Sequence, residues 1–223
     1  MVVSTSSSQQ ITIKNIKRVI FYCVMDIQSL LSITGSKTKA QEIILLLHNT
    51  KPVVRQGYYE TELPALQQFC SEQDIFLVKS KFKVLLADAE STAAYSNKGV
   101  RIPESDPRPG MYFVYLSKDE HRAWLASYKE LTENHQELGL LLGYPECCVR
   151  SFCQNFTESH PNLELKPTNP YTNLTQRNQD CVILSHFPCR SECGESIILA
   201  KQYLDVLQTV DASRTAEMLQ QLQ

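Results

Sequence analysis

The chain has 223 residues, 43% of them hydrophobic, and a formal net charge of only −2. This length is enough for a sizeable hydrophobic core, in one domain or in two small ones. The near-neutral charge gives no support for a general nucleic-acid-binding surface. The first ten residues lack the features of a secretory signal, and no run approaches the roughly 18 apolar residues of a membrane span, so we expect a cytoplasmic protein without a membrane partner.

The beginning of the chain predicts a polar tail followed by helices. Residues 1–10 are rich in Ser and Gln and are expected to be disordered. The apolar run 11–26 fits either a strand or a buried helix. Apolar residues then recur at helical spacing over 38–48 and over 61–73. Cys70 lies on the apolar side of the second of these helices, so we expect it in the core.

Strands are expected in the middle of the chain. Residues 75–88 predict two strands or one long bent strand, and 111–116 predicts another. The intervening segment 89–110 is rich in Ser, Pro, Asn and Gly and is expected to be a loop. Ser117 is the expected N-cap, within a capping box, of a helix that runs to about residue 134.

The last third of the chain changes character. The passage 138–143 has glycines near both ends, which allow a sharp turn or a close approach to another element. A helix is predicted to begin at Pro145, followed by a polar excursion over 157–180 with little regular structure. A short strand is predicted over 181–185, and a long helix from about 188 to 210.

These elements indicate an α/β or α+β protein with a small mixed sheet and flanking helices. We expect an N-terminal α/β region over 11–110, a cysteine-rich domain over 111–210, and a C-terminal tail or helix end over 211–223.

Six of the eight cysteines lie between Cys147 and Cys193, and four of these six form two clusters. The first reads Gly-Tyr-Pro-Glu-Cys-Cys (143–148) and the second His-Phe-Pro-Cys-Arg-Ser-Glu-Cys (186–193). Each contains a proline where a helix can begin, and a helix start favours the thiolate over the thiol. The two clusters therefore predict a reactive or metal-binding site at two helix N-termini.

Helical geometry assigns each cysteine a face. If the last helix includes both residues, Cys189 and Cys193 lie within about 40° of each other and face inward. Cys153 falls on the apolar side of the preceding helix and is expected to be buried core. Cys147 and Cys148 diverge on a regular helix, so both can serve one site only if it lies over the helix end.

The expected site therefore combines Cys147, Cys148, Cys189 and Cys193 with His186. Thiolate and imidazole ligands suit a zinc or iron ion, and the sulfur set also suits an iron–sulfur cluster. The spacing is neither that of a zinc finger nor that of a bacterial ferredoxin, so it does not identify the metal. His186 is predicted as a ligand or as an acid–base partner.

The two clusters carry a resemblance to a known family. Residues 142–152 and 186–196 resemble the motifs of a prokaryotic family catalogued as domain of unknown function 483, over roughly residues 111–208. The family pattern covers eleven positions: Gly143, Tyr144, Pro145, Cys147, Cys148, Phe152, His186, Pro188, Cys189, Cys193 and Ser196. Cys153 and Cys181 lie outside it. The resemblance implies a site without implying a reaction.

Our first hypothesis is a cytoplasmic protein that binds a metal ion or an iron–sulfur cluster. It leaves open whether the protein is an enzyme, and its small-molecule substrate or protein partner is unknown. A second hypothesis is a metal-free cysteine enzyme with His186 as the base. A third is an interaction module in which the cysteines are structural.

Overall fold

The computed structural model describes residues 25–86, 99–157 and 180–221, together with 160, 163 and 169–172. Within these residues it contains eight α-helices and one four-stranded sheet. The helices are α1 (Ile27–Thr34), α2 (Lys37–Leu47), α3 (Leu63–Glu72), α4 (Glu120–Leu131), α5 (His135–Leu141), α6 (Glu146–Asn155), α7 (Gly194–Val210) and α8 (Ala212–Gln221). The strands are β1 (Val54–Tyr58), β2 (Phe76–Leu86), β3 (Gly99–Pro103) and β4 (Met111–Ser117). The predicted tail at 1–10 and most of the apolar run at 11–26 lie outside the described residues.

The sheet has the strand order β1-β4-β2-β3, and every neighbouring pair is antiparallel. The α+β arrangement expected from the sequence is confirmed, although the sheet is antiparallel throughout its described strands rather than mixed. None of the described helices is both long and apolar enough to cross a bilayer.

The central strand β4 packs against helices on both faces of the sheet. Successive side chains of a strand point to opposite faces. Val114 and Leu116 belong to the larger core, which also contains residues of α1, α2, α3 and α7. Tyr115 belongs to a smaller core, which contains residues of α4 and α5. The larger core contains residues from both sides of position 110, where the sequence analysis placed the boundary between the N-terminal region and the cysteine-rich domain.

The middle of the chain contains a strand at a position where the sequence predicted a loop. Residues 75–88 contain a single strand, β2, whose pairing with β4 shifts register between Lys79 and Lys83. The prediction of a loop over 89–110 is wrong at Gly99–Pro103, which pairs with the end of β2. This strand is short, begins with Gly and ends with Pro, and these residues are more typical of a loop than of a strand. Residues 89–98 lie outside the described part of the chain.

The predicted cap of α4 is displaced by two residues. Asp119, not Ser117, is the N-cap, and its carboxylate accepts a hydrogen bond from the Arg122 amide. The Ser117 hydroxyl donates to the Pro52 carbonyl at 2.9 Å instead. The helix ends at Leu131 rather than near 134, and two residues further on the backbone turns with a positive φ at Glu133.

The segment before the last long helix also differs from the prediction. Residues 181–184 are buried and Ser185 is half-buried, but this segment does not form a strand. A side chain binds its backbone instead: the Gln41 amide donates to the Val182 carbonyl at 2.9 Å. The helix begins at Gly194 rather than near Pro188. A turn comes first, closed by the Cys193 amide and the Arg190 carbonyl at 3.1 Å.

Candidate metal centre

The first pair of cysteines lies in the opening turn of α6. Pro145 is the N-cap, so Cys147 and Cys148 are the second and third residues of the helix. Two glycines allow this helix to start where it does. Gly143 has a φ of 79°, and a side chain at Gly139 would collide with Val149 on α6. The sequence-based expectation of a sharp turn and a close approach is met at both positions.

The second pair comes from the turn that precedes α7. Cys193 is the N-cap of that helix. Cys189 lies in the turn itself, so the prediction that it shares a helical face with Cys193 is wrong; Pro188 precedes a turn and not a helix. The turn nevertheless brings Cys189 to the site, where its backbone amide donates to Cys148 Sγ at 3.3 Å.

The four sulfur atoms converge over the two helix starts. Cys147 Sγ lies 3.8 Å from Cys148 Sγ and 3.7 Å from Cys193 Sγ. The Cys148 and Cys193 sulfurs are 3.6 Å apart. Cys189 completes the group, and all four sulfurs lie within 4.8 Å of one another. Adjacent cysteines reach a common point because that point lies beyond the end of α6 and not beside it.

The cluster lies at the edge of the protein with one side open. Cys148 and Cys193 are buried, Cys189 is half-buried and Cys147 is exposed. A reagent or an ion can therefore reach the sulfurs from the Cys147 side, while the opposite side is enclosed by protein.

The surroundings of Cys148, Cys189 and Cys193 give these thiols different pKa values. Burial raises the pKa of Cys148, and burial together with the neighbouring Cys193 raises that of Cys189 to about 11. Burial acts in the same direction on Cys193. There, hydrogen bonds from Ser196 and from the Cys148 and Cys189 thiols outweigh burial and lower the pKa to about 7. Of Cys148, Cys189 and Cys193, the last therefore ionises at the lowest pH.

His186 reaches the thiols through a serine. Its Nε2 atom lies 2.9 Å from Ser196 Oγ, which in turn lies 3.2 Å from Cys148 Sγ. The sulfur group within 4.8 Å contains no histidine nitrogen. Burial and the charge of Lys51 lower the pKa of His186 to about 3, so the imidazole is neutral at physiological pH. Its predicted role as a ligand or an acid–base partner stays a prediction.

A buried ion pair next to His186 was not expected from the sequence. Lys51 Nζ donates to Glu42 at 2.6 Å and to Ser185 Oγ at 3.0 Å, and its side chain is 1% exposed. The ammonium also lies 5.4 Å from the centre of the Tyr144 ring. Nothing in the local sequence distinguishes Lys51 from a surface lysine, because its partners are distant in the chain or on another element.

The other described cysteines do not join the cluster. Cys70 is buried in the core, as expected, and Cys181 is buried in the non-strand segment at 181–185. The prediction that Cys153 is buried is wrong, since it is exposed. Phe152, one residue earlier and about 100° away around the helix, makes the inward contact instead by stacking on Phe156 and Phe187.

Part of the predicted polar excursion packs beside the site. The Thr172 hydroxyl donates to the Ser191 carbonyl at 2.7 Å, and the Asn169 amide lies 3.3 Å from Glu192 Oε2. Both contacts hold the turn that carries Cys189. Most of the remaining positions between 157 and 180 lie outside the described residues.

Comparison with known proteins identifies the segment that contains the site. No curated protein and no solved structure matches the chain significantly. Residues 123–222 match the family model described as "Protein of unknown function (DUF483)". The matched segment contains all four clustered cysteines, His186 and Ser196. The resemblance predicted for roughly 111–208 is confirmed by this match, and the description of the matched family assigns no function.

Proposed function

We propose that Cys147, Cys148, Cys189 and Cys193 bind a single metal ion, Zn²⁺ or Fe²⁺, as thiolates. The observation that carries this proposal is the spacing of the sulfurs. A tetrahedral Zn²⁺ site with Zn–S bonds of about 2.3 Å places its sulfur atoms about 3.8 Å apart. Three of the pairs lie at 3.6, 3.7 and 3.8 Å.

The fourth ligand fits the same geometry after a small movement. The Cys189 sulfur lies within 4.8 Å of the other three, so it needs to approach by at most about 1 Å to complete a tetrahedron. Cys189 belongs to a half-buried turn rather than to a helix, and rotation of its side chain supplies such a shift. Four protein ligands complete the coordination sphere of a tetrahedral zinc ion, as in structural zinc sites.

The short distances favour one ion over an iron–sulfur cluster. In a cluster the four cysteines are divided among two or more iron atoms bridged by sulfide, so the sulfurs bound to different irons lie farther apart than the ligands of one ion. A single Fe²⁺ ion fits the sulfur positions as Zn²⁺ does. Metal content, rather than geometry, separates these two ions.

The surroundings favour bound thiolates at this position. Cys147 and Cys148 lie in the first turn of α6, and Cys193 caps α7, so the positive ends of two helix dipoles point at the sulfurs. The Cys189 amide adds a hydrogen bond to Cys148 Sγ. These groups offset part of the negative charge that four thiolates bring to one divalent ion.

The role we assign to the ion is structural. It connects the first turn of α6 to a turn and a helix start more than forty positions later in the chain. The ion supplies strong, directional bonds between these two segments. Because the four thiols must stay reduced, we place the protein in the cytoplasm.

A second candidate function is cysteine chemistry without a metal. The lowered pKa of Cys193, about 7, is the observation that favours it. Under this alternative, one thiol reacts rapidly with an alkylating agent at neutral pH, and His186→Ala slows the reaction. Under the metal proposal, zinc protects the thiols and alkylation becomes rapid only after chelation.

A panel of cysteine variants tests the proposed function. We expect the wild-type protein, purified anaerobically, to contain one equivalent of zinc or iron and no sulfide. Cys148→Ser and Cys189→Ser should each lose the metal, and Cys153→Ser, which alters an exposed thiol outside the cluster, should retain it. Equal metal content in Cys189→Ser and wild type, or no metal even after anaerobic reconstitution, would contradict the proposal.

A further inference from the structure

A hydrogen-bonded chain of two side chains connects the protein interior to one of the cluster sulfurs. His186 Nε2 lies 2.9 Å from Ser196 Oγ, and Ser196 Oγ lies 3.2 Å from Cys148 Sγ. Ser196 is completely buried and His186 is 6% exposed. Both residues are therefore shielded from water. In the protein interior, a hydrogen bond to a charged group is stronger than at the surface.

The chemistry of the Cys148 sulfur determines which atom donates each hydrogen bond in the series from His186 through Ser196 to Cys148. A metal-bound thiolate carries no proton and only accepts hydrogen bonds, so in the loaded site the Ser196 hydroxyl donates to the sulfur at hydrogen-bonding distance, Cys148 Sγ at 3.2 Å. The hydroxyl has a single proton, and its oxygen is then free to accept from His186. The imidazole must accordingly carry its proton on Nε2.

The other side of the imidazole is consistent with that tautomer. Nδ1 is buried and has no hydrogen-bond partner among the described residues, so no acceptor there competes for the proton. The positive charge of Lys51 disfavours a proton on the ring, and with burial it keeps the pKa of His186 far below its ordinary value. The Tyr144 ring packs 5.1 Å from the imidazole, centre to centre, and restricts its orientation.

We propose that Ser196 and His186 are positioning residues of the metal site: Ser196 donates a hydrogen bond to the Cys148 thiolate, and His186 orients Ser196 for that role. This inference rests on the proposed four-thiolate site and adds what controls its affinity. The donated bond withdraws charge from the sulfur, so it slows protonation of Cys148 and loss of the ion. Outer hydrogen bonds of this kind typically contribute about 10- to 100-fold to metal affinity.

The test uses full-length protein loaded with Co²⁺ or Zn²⁺. Ser196→Ala should accelerate Zn²⁺ transfer to a chromophoric chelator by about tenfold or more. It should also shift the sulfur-to-cobalt charge-transfer absorption to longer wavelength, since a thiolate without a donated bond holds its electrons less tightly. Ser151→Ala, on α6 and outside the chain of bonds, is the matched control and should change neither measurement.

Variants of His186 test whether this residue acts on Cys148 through Ser196, an arrangement that we call the relay. His186→Ala should reproduce the effect of Ser196→Ala, and His186→Gln, which keeps a donor N–H near the Nε2 position, should recover most of the wild-type behaviour. His186→Ala in the Ser196→Ala background should add little, because His186 acts through Ser196. His121→Ala, at an exposed position on α4, is the histidine control. Folding of each variant is checked by circular dichroism.

The outcomes separate this inference from the proposed function. If wild type binds no Zn²⁺ or Co²⁺, the metal proposal fails and the relay fails with it. If wild type binds the ion but Ser196→Ala has the wild-type transfer rate and absorption maximum, only the relay is refuted. Independent, additive effects of the Ser196 and His186 variants would also refute it. A red shift and faster transfer in both single variants, without further change in the double variant, would support it.

Discussion

Replacing Lys51 by methionine should strongly destabilise the protein, although Lys51 is not among the proposed metal ligands. The side chain of Lys51 is 1% exposed, and that of its partner Glu42 is 9% exposed. Methionine preserves most of the side-chain volume but leaves the Glu42 carboxylate without its countercharge. Removing one partner of a buried ion pair typically costs about 3–5 kcal/mol.

The structure places the expected loss at the lower end of that range. After the substitution Glu42 still accepts a hydrogen bond from Gln56 Nε2, at 3.0 Å, and contacts the Ser185 hydroxyl. We therefore expect Lys51→Met to lower the free energy of unfolding by about 3 kcal/mol. For a chain of this size, that corresponds to a fall in Tm of roughly 6–12 °C.

Thermal unfolding of the metal-loaded protein, followed by circular dichroism, measures this effect. Lys37→Met is the matched control: its ion pair with Glu217, at 2.8 Å, is about 40% exposed and should contribute less than about 1 kcal/mol. Adding Glu42→Gln to Lys51→Met should recover part of the lost stability by removing the unpaired charge. If Lys51→Met lowers Tm no more than Lys37→Met does, the account of this buried pair is wrong.

Three further predictions concern stability. Burial acts to raise the pKa values of Glu42 and Glu130, but Lys51 at Glu42 and the arginine partners at Glu130 outweigh it, so both pKa values are lowered in the folded protein. The stabilisation from these groups is present above the ordinary carboxyl pKa of about 4.3 and is lost as pH falls through the lowered folded values, which urea titrations at pH 7 and pH 3 would detect. Arg214→Ala removes a buried guanidinium that donates to the Asp180 carbonyl at 2.6 Å, so the free energy of unfolding in urea should fall by more than about 2 kcal/mol. Cys70→Ser should lower the same free energy by about 1–3 kcal/mol, by placing a hydroxyl in the core, while metal content remains that of wild type. Equal stability at both pH values, or metal loss in Cys70→Ser, would contradict the corresponding prediction.

The helices could be predicted from the sequence because their signals are local. Apolar periodicity identified α2 and α3, and the proline at 145 located the start of α6. The same kind of signal failed at Pro188, because a proline that can begin a helix can equally precede a turn. Contacts from distant parts of the chain favour the turn, among them the hydrogen bond from the Cys189 amide to Cys148 Sγ, which spans about forty residues.

The site was predictable in part for the same reason. Helical geometry required Cys147 and Cys148 to meet over a helix end, and that is where they lie. It also assigned Cys153 to the core, although one step of about 100° around the helix was enough to expose it. The chain from His186 through Ser196 to Cys148 depends on side-chain orientation, which neither spacing nor composition specifies.

The most direct test of the four-thiolate site is X-ray absorption at the metal edge of the protein purified anaerobically. We predict one zinc or iron ion with four sulfur ligands at about 2.3 Å and no second metal atom nearby. A first shell dominated by nitrogen or oxygen, or scattering from a neighbouring iron atom, would contradict the account.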